Sequence, residues 1–427
     1  MRKIILLILC LGVLSWPLTA VASTSAEKQK GIDAGLAYLA NTQNANGSWS
    51  YGGYEPAATA AALLSFVDQR YKPLGWDGAD YNAVVTNATN YLLSQASTLN
   101  ISTPNWWGFS GTANSGVGIR WYNSGEETYG SGLAIPALSR LVSNPYGGTP
   151  LVSPTTVISS PNAAVNGKTY SQVIQQAVDS FTWSQTGPAY GDRYGGWRYF
   201  AGQNDSDMST TQWPVIDYLF AKQVPGVSVP GAGSNTATAL QAWLTADQYT
   251  SGINAGGVDY QPGAGIVNAT HAGAFLLSNY FAGGGGVPAA ALAWLNAHWT
   301  EIASGTWYGN IGNPYAMWAV YKGLETIYGT TGAGPITNLD PQTTLIDPGA
   351  TWNWWEDYCQ YLVGSQNADG SWTGYAYWTG PLATAWDINI LNATATAPPG
   401  VPEPCTLLLL GFGLAGLAVF RKRRRLT

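Results

Sequence analysis

The chain has 427 residues, 46% of them hydrophobic and 10% charged, with 20 Trp, 25 Tyr and 52 Gly. Its formal net charge is −6, from 18 Lys+Arg and 24 Asp+Glu. That balance excludes a nucleic-acid partner, because neutralising phosphates takes clustered Lys and Arg. The three cysteines stand at Cys10, Cys359 and Cys405; with the first in the leader and the last in the tail, the body keeps only Cys359, which excludes a disulfide or a multi-cysteine zinc site there.

At the N-terminus, Arg2-Lys3 precede an apolar stretch over 4–14, and Ala20-Val21-Ala22 supplies a small-x-small cleavage site. This pattern predicts a secretory signal peptide over residues 1–22. Leaving out Arg2, Lys3 and five basic residues of the tail takes the 18 Lys+Arg to 11, and leaving out Glu403 takes the 24 Asp+Glu to 23. The exported body therefore carries about −12 and repels a strongly anionic polysaccharide unless cations bridge the two.

The body repeats itself. Tyr38-Leu39-Ala40-Asn41-Thr42-Gln43-Asn44-Ala45-Asn46-Gly47-Ser48-Trp49 returns as Tyr361-Leu362-Val363-Gly364-Ser365-Gln366-Asn367-Ala368-Asp369-Gly370-Ser371-Trp372. Between them lie weaker copies at Trp106-Trp107-Gly108-Phe109, Gly195-Gly196-Trp197, Gly256-Gly257-Val258 and Gly305-Thr306-Trp307. Apolar-periodic segments precede these turns at 27–42, 81–95, 170–184, 236–248, 289–300 and 352–365. Others follow them at 57–69, 128–141, 209–223, 269–281, 314–328 and 382–391. Asp80, Asp207 and Asn268 stand where helices need caps, and Pro314 suits a first turn. The reading is all-α, twelve helices in six hairpins. Ala-rich runs such as 57–64 fit close helix packing better than a strand alternation. Two stretches rich in Pro, Ser, Thr and Gly, 144–168 and 335–350, read as long loops.

The pattern Gly31-x3-Gly35-Leu36-x-Tyr38-Leu39-x3-Gln43-x3-Gly47-x-Trp49 resembles the QW repeat of the squalene cyclase and prenyltransferase superfamily. In degenerate form it covers most of residues 26–395, with two strong copies. The resemblance implies an α/α toroid, with outer helices before the turns and inner helices after them. It also implies a brace in which Gln43 and Gln366 hydrogen-bond backbone while Trp49 and Trp372 cover the joints, which makes most tryptophans structural.

The same resemblance directs attention to an Asp-x-Asp-Asp acid motif, whose nearest match is Asp205-Ser206-Asp207-Met208. Met208 stands in place of a carboxylate, and Asp207 reads in the first place as a helix cap, with Ser209 and Thr210 opening the helix. Zinc ligation in the prenyltransferase manner is not expected, since His271 lies on an inner segment and Cys359 on an outer one. No cofactor or metal is expected. Carboxylates near the inner-helix entrances are Glu55, Glu126, Glu127, Asp205 and Asp207, joined there by His271 and Tyr315. Of these, Asp207, Asp205, Glu127 and His271 are the catalytic candidates. The adjacent Glu126 and Glu127 point in different directions on a helix and do not form a glycosidase pair by themselves. The turn aromatics, among them Trp106, Trp107, Trp121, Trp197, Tyr199, Trp307 and Tyr308, offer flat faces for sugar rings. Trp107, Trp197, Tyr199 and Trp307 are the binding candidates.

The chain ends on Pro402-Glu403-Pro404, an uncharged run over 405–420, and a basic block beginning Arg421-Lys422. At about 1.5 Å per residue the run makes a helix of roughly 24 Å, able to span a slightly thinned bilayer with its basic end in the cytosol. This tail resembles the PEP-CTERM sorting signal, which implies recognition by an exosortase-type membrane protease in bacteria that make exopolysaccharide. Residues 396–427 are accordingly a spacer and sorting segment, membrane-anchored by 405–420 until processing. Together these features predict an exported surface or matrix protein, a non-catalytic binding or scaffold ring for exopolysaccharide or another surface protein. A polysaccharide lyase or hydrolase is the alternative, and a terpenoid cyclase stands behind it because its lipid substrate is made inside the cell.

Overall fold

The computed structural model describes residues 25–71, 80–122, 126–339 and 352–394. The expected signal peptide at 1–22, most of the loop 335–350, the segment 396–427 with the expected membrane run 405–420, and Pro402, Glu403, Pro404 and Arg421 lie outside the described residues.

Six helices line a central axis: α2 (Glu55–Tyr71), α4 (Glu127–Val142), α6 (Met208–Ala221), α8 (Ala269–Ala282), α10 (Pro314–Tyr328) and α12 (Gly380–Leu391). Each packs on the next, and α12 packs back on α2, so the ring is closed. Outside it run α1 (Ser25–Thr42), α3 (Asn82–Gln95), α5 (Tyr170–Ser184), α7 (Asn235–Asp247), α9 (Pro288–Ala297) and α11 (Trp354–Ser365). Their sequences explain the two layers. In α2 every residue from Pro56 to Gln69 is buried, as expected of a helix apolar on all sides. In α9 only Ala291 and Leu295 are buried, the stripe of a helix covered on one face.

The joints follow one plan. The amide of Gln43 donates to the carbonyl of Gly47 in its own turn (3.0 Å) and to that of Val84 on the next outer helix (3.0 Å). Gln185, Gln248 and Gln366 repeat this with Gly195 and Thr236, Gly256 and Val287, and Gly370 and Gly31. The Trp49 indole donates to Leu39 at the end of the outer helix (2.8 Å), while its backbone N–H donates to the Thr59 hydroxyl on the inner helix (3.2 Å). One residue thus ties outer helix, turn and inner helix together. Trp197 and Trp372 do the same through Phe181 and Thr211, and through Leu362 and Thr384.

Two assignments of the weaker turns change. In the second hairpin the brace is Trp121, bonded to Leu92 and Ser131, rather than the 106–109 copy. A two-stranded antiparallel ribbon, β1 (Ala96–Asn100) and β2 (Val117–Trp121), paired from Ala96↔Trp121 to Asn100↔Val117, is inserted there and carries 106–109 on its tip. In the fifth hairpin Asn310, not Trp307, reaches back to the Trp299 carbonyl (2.9 Å). A second small ribbon, β3 (Gly374–Tyr375) and β4 (Trp378–Thr379), precedes α12. The all-α expectation therefore needs these two ribbons added. The caps at Asp207 and Asn268 accept the N–H groups of Thr210 and His271. Asp80 accepts from Asn82, one position short of a cap, since Tyr81 fills that place.

Because every inner helix follows its turn, all six point the same way. At the pole where they end, Arg140 and Lys322 are wholly buried, and Arg140 pairs with the equally buried Asp68 at 3.1 Å. Cations at helix C-termini offset the negative ends of the dipoles. Mid-ring, Trp213, Trp318 and Trp386 close the axis, with Trp386 stacked on Trp318 (5.9 Å) and on Trp213 (6.3 Å).

Candidate functional site

At the opposite pole the six inner N-termini surround a cup of about 970 Å³. Ala57 of α2, Tyr129 and Leu133 of α4, Ser209 of α6, Thr270 and His271 of α8, Tyr315 of α10, and Leu382 and Trp386 of α12 all face it. Its floor is the tryptophan plug, since Tyr315 stacks on Trp386 (5.9 Å) and Trp213 (6.3 Å). Its lip is made by turns. Tyr51 and Tyr54 come from the first, Tyr199 from the third, Tyr260 from the fourth, Trp307 from the fifth, and Tyr377 and Trp378 from the β3–β4 ribbon. The Tyr51 hydroxyl donates to the Tyr377 carbonyl, and Trp307 packs edge-on against Trp378 at 5.4 Å.

Under one wall lies a hydrogen-bonded network centred on Asp207, whose side chain has no exposed surface. Its carboxylate accepts from Thr210 N–H (2.8 Å), the Ser209 hydroxyl (2.6 Å) and Arg198 (2.6 Å). Arg198 also donates to the Tyr260 hydroxyl (2.9 Å), which meets that of Tyr199 at 3.0 Å. On the other side Tyr129 contacts Ser209 Oγ (3.3 Å) and Tyr315 Oη (3.2 Å). Burial pushes the Asp207 carboxyl up, against the pull of Arg198 and the hydroxyls. The phenols of Tyr129, Tyr260 and Tyr315 are pushed above their ordinary range by burial first and then by neighbours including Asp207, so none is poised to lose its proton. Burial brings His271 down to about 4, and the carbonyls of Ile266 and Val258 face its ring. It is neutral at pH 7, with Nδ1 3.0 Å from the Ile266 oxygen.

The sequence-predicted residues separate on this geometry. Tyr199, Trp307 and His271 line the cup, with Trp307 46% exposed. Asp207 lies beneath the wall as the cap of α6, and Asp205 sits outside it, paired with Arg193 and Arg198 at 3.4 Å. Glu127 is buried against Arg120 (2.7 Å), and burial raises its carboxyl despite that partner. Trp197 is 1% exposed and sealed in its joint, so it offers no face to a ligand. Trp107 packs against Phe109 on the ribbon tip, away from the cup. His271 and Cys359 stay apart, the latter buried in α11. Among the described residues no group of three metal-ligating side chains comes together.

The residues not foreseen as a group are Tyr51, Tyr54, Tyr129, Tyr260, Tyr377, Trp378 and Trp386. A signal for some of them was present. Tyr51, Tyr199 and Tyr260 each stand two positions beyond the residue that ends its turn motif, Trp49, Trp197 or Val258.

The fold and site define a closed α/α ring with an aromatic cup at one pole. Residues 400–425 match the family model described as the PEP-CTERM protein-sorting motif. That match is confined to the tail, and it indicates exosortase processing and export to the cell envelope. Among solved structures, the chain is similar to the type II terpene cyclase MstE from Scytonema in its apo form. The identity is 12%, over 86% of this chain and 98% of that one, with a TM-score of 0.44; a likeness that distant bears on neither activity nor ligand. No curated protein matches the chain.

Proposed function

We propose that the protein is an envelope-surface or matrix ring that binds glycan in the aromatic cup at one pole without transforming it. In this reading residues 26–395 form the displayed ring. The segment 396–427 delivers it, anchored through 405–420 until an exosortase acts. The carrying observation is the composition of the cup wall: seven tyrosines and three tryptophans against one carboxylate, Glu126, and no lysine or arginine. Flat rings edged with hydroxyls suit the apolar faces and hydroxyl rims of sugars. Of the binding residues expected from the sequence, Tyr199 and Trp307 line this cup beside Tyr377 and Trp378, which supports the reading.

The rival reading is a polysaccharide lyase or hydrolase using Asp207, Asp205, Glu127 or His271. Hydrolysis calls for two carboxyls facing one bond across roughly 5–10 Å. Here Asp207 and Glu127 are each tied to an arginine behind the wall, and His271 and the tyrosines are not poised as bases.

Calorimetric titration of the detergent-purified full chain with exopolysaccharide from the producing cells tests the proposal. Saturable binding that weakens at least tenfold in Trp307→Ala, with no new reducing ends or unsaturated uronates, is the expected result. Product release that stops in Asp207→Asn would establish the rival, and no binding in any form would sink the glycan reading.

A further inference from the structure

Glu126 distinguishes the cup from a neutral sugar site. The acids around this pole are otherwise engaged: Glu127 with Arg120, Asp207 and Asp205 with Arg198, and Glu55 with the N–H groups of Tyr51 and Gly53. Glu126 precedes α4, lines the cup and makes no cap bond to that helix. Among the described residues, no ion pair or hydrogen bond is formed by its side chain. It is half-buried, and the phenols of Tyr51, Tyr54 and Tyr199 stand close enough to feel its charge. A desolvated carboxylate without a partner is costly, and a cation supplied from outside would offset that cost. Aromatic faces around such a carboxylate add attraction for the same cation.

The helix ends do not reverse this preference. Six N-termini favour anions, but Glu55, Glu127 and Asp207 already stand at those of α2, α4 and α6. The body's net charge of about −12 also draws cations toward it.

We propose that the cup takes an organic ammonium group carried on a sugar ring, an amino sugar with a free amine, with Glu126 as counter-ion and Tyr51, Tyr54, Tyr199 and Trp307 as the flanking faces. This rests on the glycan-binding reading above and narrows it to a cationic, de-N-acetylated glycan.

The test uses the detergent-purified full chain and three tetrasaccharides, of glucosamine, of N-acetylglucosamine and of glucose, with tetramethylammonium as a sugar-free probe. The glucosamine tetramer is expected to bind at least tenfold more tightly than the other two. Glu126→Gln should abolish the preference without lowering the unfolding midpoint. Should that variant fail to fold, the wild-type preference must shrink between low and high salt, and a salt-independent preference overturns the proposal. Equal binding of the three sugars overturns the ammonium site and leaves glycan binding standing. If no sugar binds, the glycan reading fails; Glu126-dependent binding of tetramethylammonium then keeps the cation site, and its absence overturns that as well.

Discussion

The side-chain amide of Gln366 donates to the carbonyl of Gly31 at 2.8 Å, joining the last outer helix of the chain to the first. The same amide holds Gly370 of its own turn at 2.9 Å. The circle is therefore closed by the bond that also makes the internal joints at Gln43, Gln185 and Gln248.

Gln366→Leu removes this donor, leaving the Gly370 carbonyl of the turn without its partner and the Gly31 carbonyl with only its place in the α1 helix ladder. The expected loss is about 1–3 kcal/mol. Gln43→Leu, at an internal joint of the same geometry, should cost a similar amount. Denaturant midpoints of the two variants check this. An unchanged midpoint for Gln366→Leu would mean that the seam between α11 and α1 is held by packing alone.

The turn glycines face a sharper constraint. Gly370 has φ near +90°, and a Cβ placed on it would lie 2.2 Å from the Ala34 carbonyl oxygen on α1. Gly147 has a similar φ of +88° but open space around it. Gly147→Ala should therefore show only the left-handed backbone penalty, about 1–2 kcal/mol. Gly370→Ala adds a backbone collision that cannot be relieved without parting α11 from α1, and should cost several kcal/mol. Thermal unfolding of both proteins compares them directly, and equal losses would show that the joint yields freely.

These joints also explain what was legible in the sequence. Gln43, Gly47 and Trp49 recur as Gln366, Gly370 and Trp372 because each makes the same bond or turn in both joints. From that recurrence the order and rough bounds of all twelve helices could be read. The second and fifth turns misled because aromatic residues lay nearby. Trp107 and Trp307 look like brace tryptophans, whereas Trp121 and Asn310 make the bonds. The cup was far less legible. Its wall takes one or two residues from each turn or helix start, far apart along the chain, and no local spacing marks them as neighbours. Tyr129 and Tyr315 are separated by 186 positions yet their hydroxyls meet.

Asp207 provides a test of structural against chemical roles. Asp207→Asn keeps an acceptor for the Thr210 N–H and Ser209 hydroxyl but loses the charge facing Arg198. Asp207→Ala loses all three. The expected order is a loss of about 1 kcal/mol for Asn, which weakens the ion pair of an Arg198 still held by Asp205, and about 2–4 kcal/mol for Ala, which loses the cap as well. Glycan binding should change little in Asp207→Asn, because Asp207 lies behind the wall. A variant with wild-type stability and abolished function would instead place Asp207 in the chemistry.

Asp217 and Asp387 face no such partner network. Both are buried in inner helices, and both oxygens of Asp217 and one of Asp387 lack any hydrogen-bond partner in the described structure. Burial alone raises each carboxyl well above its ordinary range. Asp247 is raised too, by burial first and then by Asp259 and Asp207. Above about pH 4 the unfolded chain releases these protons while the folded chain keeps them. Stability is then fully present below pH 4 and falls as pH rises toward the raised folded values. Each such proton contributes a slope of about −1.4 kcal/mol per pH unit. His271 opposes this between its folded value of about 4 and its ordinary 6.5, where only the unfolded chain binds the proton. These raised carboxyls outweigh the one imidazole, so stability falls as the pH rises from 5 toward their folded values, and above 6.5 the imidazole no longer opposes the fall. Urea midpoints should be lower at pH 8 than at pH 5, and Asp217→Asn should lessen that decline. A midpoint that climbs from pH 5 to pH 8 would mean that the ring holds these acids ionised, with cations or water supplying what the protein does not.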